Sequence, residues 1–458
     1  MSPDPHPPLH GVSLLRLAAF TERETARFAR ARPKTQRLLD QGAQAWLGGV
    51  PMHWMRDWPS PFPLVVKRAQ KARLTDADGF RIDDFCLGDT GSMFGHSPAP
   101  VARALRRQAR RGLTYMLPSK AALRAGRLLC ERFGPLVWQV ATTATDANRN
   151  ALRVARAVTG RRKVLVFNGC YHGTLQDTMV TLEGGRTVAR PGLVGQVLDI
   201  AAEAVCVEFN DLEAVEASLA SGEVAAVLTE PVMTNACMVL PATGFHAGLR
   251  ALTKRHGTLL IIDETHTQSS GLGGYTRVHG LSPDLFVVGK CVAGGVAAAV
   301  WGMTEAVAEA FTAYDAARPS GHSGMGTTLS GNPLQFAALE ATLSEVMTPE
   351  AFATMEAGAG RLARGLSAVI ARHALPWHVA RVGARVEFIC APGPLRNGAD
   401  AAAAHAPQLE AALHLGLLNR GCLIAPFHNM MLVSPVTKPR QIDRLIASLD
   451  EILRELTA

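Results

Sequence analysis

TLLIIDETHTQSSGLGGYTRVHGLSPDLFVVGKCVAGG, residues 258–295, contains two short apolar runs, each ending on a group able to do chemistry. Thr258–Asp263 (TLLIID) closes on the acid pair Asp263-Glu264. Leu285–Gly289 (LFVVG) closes on Lys290, followed by the small-residue run Cys291–Gly295. Runs this uniformly apolar, without polar alternation, predict strands buried on both faces, as in a parallel sheet covered by helices. In such sheets ligands gather at the carboxyl ends of the strands, where both Asp263 and Lys290 stand.

The same texture extends outward. Pro98–Gly112 and Ser119–Gly134 repeat apolar residues at helical spacing, Val137–Ala141 reads as a strand, and Asp146–Gly160 as a helix closed by Gly160. Strands at Lys163–Asn168, Val224–Thr229 and Ala297–Gly302 alternate with helices at Leu212–Gly222 and Phe245–Gly257. This alternation predicts an α/β fold with a doubly wound, mostly parallel sheet. After Pro333 a helix over Leu334–Val346 leads into a region of different texture. Strands near Ala384–Cys390 and Cys422–Pro426, helices at Gln408–Arg420 and Pro439–Leu456, and a Gly/Pro/Ala loop near Ala391–Ala404 predict a smaller α+β domain. The N-terminal segment, with a helix near Thr21–Gln41 and strand texture over Val65–Arg81, is expected to join it. The expected division is 1–85 (N-terminal segment, part of the small domain and active-site wall), 86–335 (large domain) and 336–458 (C-terminal small domain). No internal repeats are visible.

Composition fits an enzyme with a large core: 458 residues, 48% hydrophobic and 6% aromatic. The net charge of +8 is spread along the chain. Its densest run, Arg106, Arg107, Arg110 and Arg111, reads as a solvated helix face, since no aromatic platform or base-reading motif accompanies it. Eight widely spaced cysteines without a C-x-x-C pair indicate neither a zinc site nor a disulfide framework. Met1–Phe20 lacks the basic start and apolar core of a signal peptide, and no run of about 18 apolar residues predicts a membrane helix. The expectation is a cytoplasmic enzyme acting on small molecules, without nucleic-acid, membrane or metal partners.

Of the eight lysines, only Lys290 lies between an apolar strand and a glycine-rich turn. Burying a lysine charged is costly, so such a residue either snorkels out of the strand end or works with a lowered pKa, as in Schiff-base formation. Asp263 is either a turn-capping aspartate or the partner of a buried cation such as a protonated pyridine nitrogen, which makes an aromatic ring an electron sink. Thr142-Thr143-Ala144-Thr145-Asp146, between a strand and a helix, fits either a phosphate cup at a helix start or an ordinary N-cap. Gly324–Asn332 (GMGTTLSGN) is a second glycine- and hydroxyl-rich turn. No Walker A loop, G-x-G-x-x-G or G-x-S-x-G elbow is present.

These residues are flanked by further markers in a fixed order: Gly95-His96, Thr143–Asn148, Tyr171-His172-Gly173, Asn210-Asp211, Glu230-Pro231-Val232 with Asn235, Asp263-Glu264, Pro283-Asp284-Leu285 leading to Gly289-Lys290, and Thr327–Pro333. From roughly Gly48 onward the chain resembles a class III aminotransferase of pyridoxal-phosphate (PLP) fold type I, in the branch shared with glutamate-1-semialdehyde aminomutase. The resemblance implies that Lys290 carries pyridoxal 5′-phosphate as a Schiff base and shuttles a proton. Asp263 would bind the pyridine nitrogen, with Glu230 supporting Asp263 or the lysine. Tyr171, beside His172, would stack on one ring face and Thr265 on the other, Asn235 approaching the ring hydroxyl. Thr143, Ala144 and Thr145 would hold the phosphate, and Thr328 would reach the phosphate of a neighbouring subunit, implying a homodimer with shared active sites.

The chain departs from the family in three places. The usual S-G-T-E-A cup reads Thr143-Ala144-Thr145-Asp146-Ala147, and alanine is tolerated there only where φ is not positive. D-E-V-x-T-G becomes D-E-T-H-T-Q, bringing His266 and Gln268 toward the cofactor edge. After Gly48-Gly49-Val50, the position of the carboxylate-binding arginine falls on Trp54 or Met55, and Arg56 lies one or two residues away. A bidentate guanidinium fork does not tolerate such a shift. A pocket lined by Met52, Trp54, Met55 and Met93, with Arg56 beside them as a further candidate pocket residue, suits an apolar or aryl group, which places ping-pong amino transfer between an amine and a keto or aldehyde acceptor ahead of the aminomutase reaction. A racemase on the same scaffold and a cofactor-free binding module are the remaining readings. Arg385 is a second arginine available for a substrate carboxylate.

Overall fold

The computed structural model describes residues 9–457; residues 1–8 and 458, assigned above to the terminal segments, lie outside the described residues. The chain divides into two compact units. One is Pro98–Phe352 with Leu395–Ala403; the other takes the residues up to Ser97, Ala353–Pro394, and the chain from Ala404 onward. The breaks at Ser97/Pro98 and Phe352/Ala353 stand in place of the expected 85/86 and 335/336. Leu395–Ala403, read above as loop, returns to the first unit because Glu208 captures it. That carboxylate accepts from the N–H groups of Gly398 (2.9 Å) and Ala399 (3.3 Å) at the start of the helix Gly398–Ala404.

The first unit is built on seven strands: β1 (Val137–Ala141), β2 (Lys163–Phe167), β3 (Ala204–Val207), β4 (Val224–Thr229), β5 (Leu259–Asp263), β6 (Leu285–Val288) and β7 (Ala299–Met303). Their order in the sheet is β1-β7-β6-β5-β4-β2-β3. β2, β3, β4, β5 and β6 run parallel; β7 runs antiparallel to both β6 and β1. The reversal is invisible in the sequence, because every residue of β7 is buried just as in the parallel strands.

Side chains alternate across the sheet. Val164, Val166, Ala226, Leu228, Ile261, Leu285 and Val287 share one core with Ala147, Ala151, Leu152, Val154 and Ala155 of the helix Ala144–Thr159. Each fully buried aliphatic side chain contributes about 1.5–3 kcal/mol, so this layer fixes the helix firmly to the sheet. The helix ends at Gly160, whose φ of 67° is the left-handed conformation that glycine adopts without cost.

In the second unit, Val66–Gln70, Arg73–Asp76, Arg81–Asp84 and Cys422–Leu423 form one sheet, and His378–Val382, Arg385–Ile389 and Met430–Leu432 another. Leu14–Ala31, Pro407–Asn419 and Pro439–Thr457 supply helices around a core that includes Phe20, Leu366, Phe388, Leu413 and Leu449. The single helix expected over Thr21–Gln41 is two, Leu14–Ala31 and Pro33–Gly42. Proline at 33 has no N–H to continue the first helix and opens the second at its first position. Among the described residues no helix is long and apolar enough to cross a membrane.

Candidate active site

Strand register assembles the site. Ile262 pairs with Thr229, which sets Glu230 beside Asp263, and Asp263 pairs with Val287, which sets Lys290 just beyond the same edge. β2 runs on at this end into the loop Gly169–Gly173, and β1 delivers Thr142–Thr145 at the start of the helix Ala144–Thr159.

Thr143 is the N-cap of that helix. Its hydroxyl accepts from Asp146 N (3.1 Å) and lies 3.0 Å from the Asp146 carboxylate, so it serves its own helix. The cup therefore rests on the N–H groups of Ala144 and Thr145, which have no carbonyl in a preceding turn to bond and carry the positive end of the helix dipole. Ala144 is absent from the positive-φ residues, so the condition set above for alanine in the cup is met. Thr145 Oγ1 accepts from Thr174 N (3.2 Å). Gly173 has a φ of 82°, and a Cβ there would lie 2.0 Å from Thr145 Oγ1. Only glycine lets the loop carrying Tyr171 and His172 lie against the cup.

Asp263 is buried and accepts from three N–H groups: Asn148 Nδ2 (2.8 Å), His172 Nδ1 (3.0 Å) and Thr265 N (3.1 Å). Burial alone would raise this carboxyl, but the hydrogen bond and charge of His172, with Thr265 and Asn148, bring it down to about 2. Burial would likewise lower His172; Cys170 and Asp263 outweigh it and raise the imidazole to about 10. The result is a buried ion pair that keeps Asp263 charged. His172, expected at the cofactor, is bonded to Asp263. Asn148 ends the marker stretch Thr143–Asn148 but has no role assigned from sequence; an asparagine among the buried positions of that helix is the signal that marks it, one it shares with Asn150.

Lys290 is half-buried with a φ of 47°, uncommon for a non-glycine residue, and its Nζ lies 2.8 Å from Nε2 of His266. Glu264 does a different task from its neighbour. Burial pushes it up, and it binds Thr267 Oγ1 (2.6 Å), Tyr275 N (3.1 Å) and Thr276 N, tying down the turn after β5. Glu230 Oε2 accepts from Thr234 N (3.2 Å) and Thr234 Oγ1 (2.5 Å), while buried Oε1 has no hydrogen bond among the described residues. Tyr171 and Thr328 are exposed. The Thr328 loop is held near the cup by Ser330, 3.4 Å from Thr142 Oγ1, and by Gln335, which donates to Ala141 O (3.2 Å) and Ala297 O (3.0 Å).

Thr265 Oγ1, Asn235 Nδ2, Glu230 Oε1 and Asn148 Oδ1 are buried at this strand end without hydrogen bonds among the described residues. Leaving one such group unmade costs about 1–3 kcal/mol, and four together fit a polar ring lying over Asp263 and Thr265. The residues present suit pyridoxal phosphate: N–H groups for phosphate, a fixed carboxylate for the ring nitrogen, and an amine for the aldehyde.

The predicted substrate wall lies in the second unit. Trp54 and Arg56 are exposed, and Met55 lines an apolar hollow of about 540 Å³ with Val50, Trp58 and Leu423. Arg56 folds back within its own loop: a Cβ on Gly48 would lie 2.3 Å from its guanidinium. Met93 is a correction. It is fully buried in core and has no surface left to line a pocket. Arg385 is fully buried too, donating to the Thr90 hydroxyl.

The aminotransferase class-III profile matches residues 55–453. A glutamate-1-semialdehyde 2,1-aminomutase of Desulforudis audaxviator is 33% identical over 398 residues, covering 86% of this chain and 90% of the relative. Among solved structures, a glutamate-1-semialdehyde aminomutase from Pseudomonas aeruginosa PAO1 superposes with a TM-score of 0.95 at 49% identity, covering 97% of this chain and 99% of that one. A variant of that protein has been solved in complex with PMP. A β-phenylalanine aminotransferase from Variovorax paradoxus gives a TM-score of 0.83 at 27% identity over 95% of this chain and 97% of that one. The cofactor of the site is pyridoxal phosphate. The order in which the sequence placed the two reactions is reversed, since the relatives alike in both sequence and structure carry the aminomutase name.

Proposed function

The chain belongs to the class III aminotransferase family, and from that premise we propose that it moves an amino group within one substrate, as glutamate-1-semialdehyde 2,1-aminomutase does. The observation that carries this reading is the 49% identity over nearly the whole chain to a protein of that name. The bound cofactor supplies an electron sink for the substrate carbon. Lys290 takes the proton from one carbon and returns it to another, which is general acid–base work. Asp263, held anionic by His172, keeps the ring nitrogen protonated. Ala144 and Thr145 hold the phosphate through backbone N–H groups, with Thr143 shaping the turn. Tyr171 and Thr265 would flank the ring, and Asn235 would approach its hydroxyl. Thr328 reaches the phosphate of a second copy, making the enzyme a homodimer with shared sites that works in the cytoplasm.

Intermolecular transamination is the second reading. It is favoured by Met55 in an apolar hollow and by Arg56 turned onto Gly48, since neither offers a carboxylate fork. Product analysis separates the two. The aminomutase reading expects glutamate 1-semialdehyde, without added acceptor, to become the isomer with amino and carbonyl groups exchanged. Turnover confined to 1-phenylethylamine plus pyruvate would overturn it in favour of transamination.

A further inference from the structure

The amine of Lys290 and the imidazole of His266 meet at 2.8 Å. His266 is buried, on the turn that also gives Thr265 N to Asp263 (3.1 Å) and Gln268 N to Glu264 O (3.0 Å). The turn that fixes the acid therefore fixes the imidazole. The other titratable groups of this strand end are Asp263, Glu264, Glu230, His172, Tyr171 and Cys291. Asp263 and His172 are paired to each other, Glu264 to Thr267, Tyr275 and Thr276, and Glu230 to Thr234. His266 meets the lysine through its ring nitrogen.

We propose that His266 is a positioning residue for Lys290, holding its free amine and sharing its proton. An ammonium has only donors, so charged Lys290 donates to Nε2, and a neutral amine accepts from Nε2–H. When the proton crosses, an N–H bond breaks at Nζ and another forms at Nε2, and no electrons are gained or lost. Lys290 thereby regains the neutral form that abstracts a proton without releasing one to water. The inference rests on the reading that Lys290 carries the cofactor.

The test uses His266→Ala and His266→Gln beside wild type, each with pyridoxal phosphate and after its removal. In the cofactor-stripped proteins, acylation of Lys290 by acetic anhydride is followed against pH by mass spectrometry. Losing its hydrogen-bond acceptor leaves more of the amine reactive, so His266→Ala is expected to acylate Lys290 roughly tenfold faster at fixed pH. His266→Gln keeps an acceptor and stays near wild type there. It cannot take a proton, so in the loaded enzyme its kcat falls by about 10²-fold at unchanged KM. Coincident acylation profiles for wild type and a folded His266→Ala overturn the proposal, and so does an undiminished kcat in His266→Gln, which also decides the matter should the alanine variant fail to fold. A wild-type protein that gains no Lys290-dependent visible band with the cofactor overturns the underlying reading instead; a band in all three with coincident profiles removes only the role of His266.

Discussion

Asp263 and Arg56 are both charged residues in stretches that matter to the chemistry, and they are held in opposite ways. Asp263 is buried and takes N–H groups from a helix, a loop and its own turn, with partners up to 115 residues away. Arg56 is exposed and folds onto Gly48 within its own loop. The first arrangement is preorganised by the whole sheet and cannot be shifted without disturbing three segments. The second is local, so a change of one residue there is expected to leave the fold intact. The cofactor end of the sheet is thus held by long-range contacts, whereas the segment at 48–56 is held locally.

Substitutions at the two places should respond accordingly. The largest effect is expected from Lys290→Ala, which removes the visible band of the cofactor-loaded enzyme and lowers turnover by at least ~10³-fold; an unchanged spectrum would sink the assignment. Asp263→Asn strands the His172 cation in the interior, so urea unfolding should show a loss of about 3–5 kcal/mol. pH sharpens the same point. His172 is raised from 6.5 to about 10, so its stabilisation is complete below 6.5 and disappears as pH rises through 10; Asp263, lowered from 3.8 to about 2, contributes above 3.8 and loses that as pH falls toward 2. Thermal scans of the cofactor-free protein should therefore show a midpoint falling from neutral to alkaline pH, with a flatter slope in His172→Gln. Gly173→Ala adds a methyl at positive φ against Thr145 and should cost about 1–3 kcal/mol, with weaker retention of the cofactor on dialysis. Arg56→Ala should be smallest in stability, within about 0.5 kcal/mol, with its effect confined to KM. A stability loss there as large as that of Asp263→Asn would erase the contrast.

Much of the cofactor end is legible in the chain alone. Lys290 and Asp263 stand out because a charged residue closing an apolar strand has few inexpensive explanations, and strand ends on one side of a parallel sheet converge. Other features are hidden for physical reasons. Apolar periodicity reports burial and not direction, so the antiparallel β7 reads like its parallel neighbours. Asn148 and Gln335 owe their roles to partners far along the chain, Asp263 and the carbonyls of Ala141 and Ala297. Met93 was expected in a pocket because methionine suits both cores and binding surfaces, and only packing distinguishes them. The break at Pro33 was readable, since proline at a first helical position is a start signal; the longer apolar pattern around it masked that signal.

The contact between Gly289 and Ala144 has a consequence for how sequences of this kind can vary. A methyl on Gly289 would come within 2.9 Å of the Ala144 methyl, so the two positions share one methyl's worth of space across more than a hundred residues of chain. A descendant that places a side chain before the lysine must first surrender the one at the start of the phosphate helix. The two sites should therefore change as a linked pair, and the single-step route through two alanines is closed.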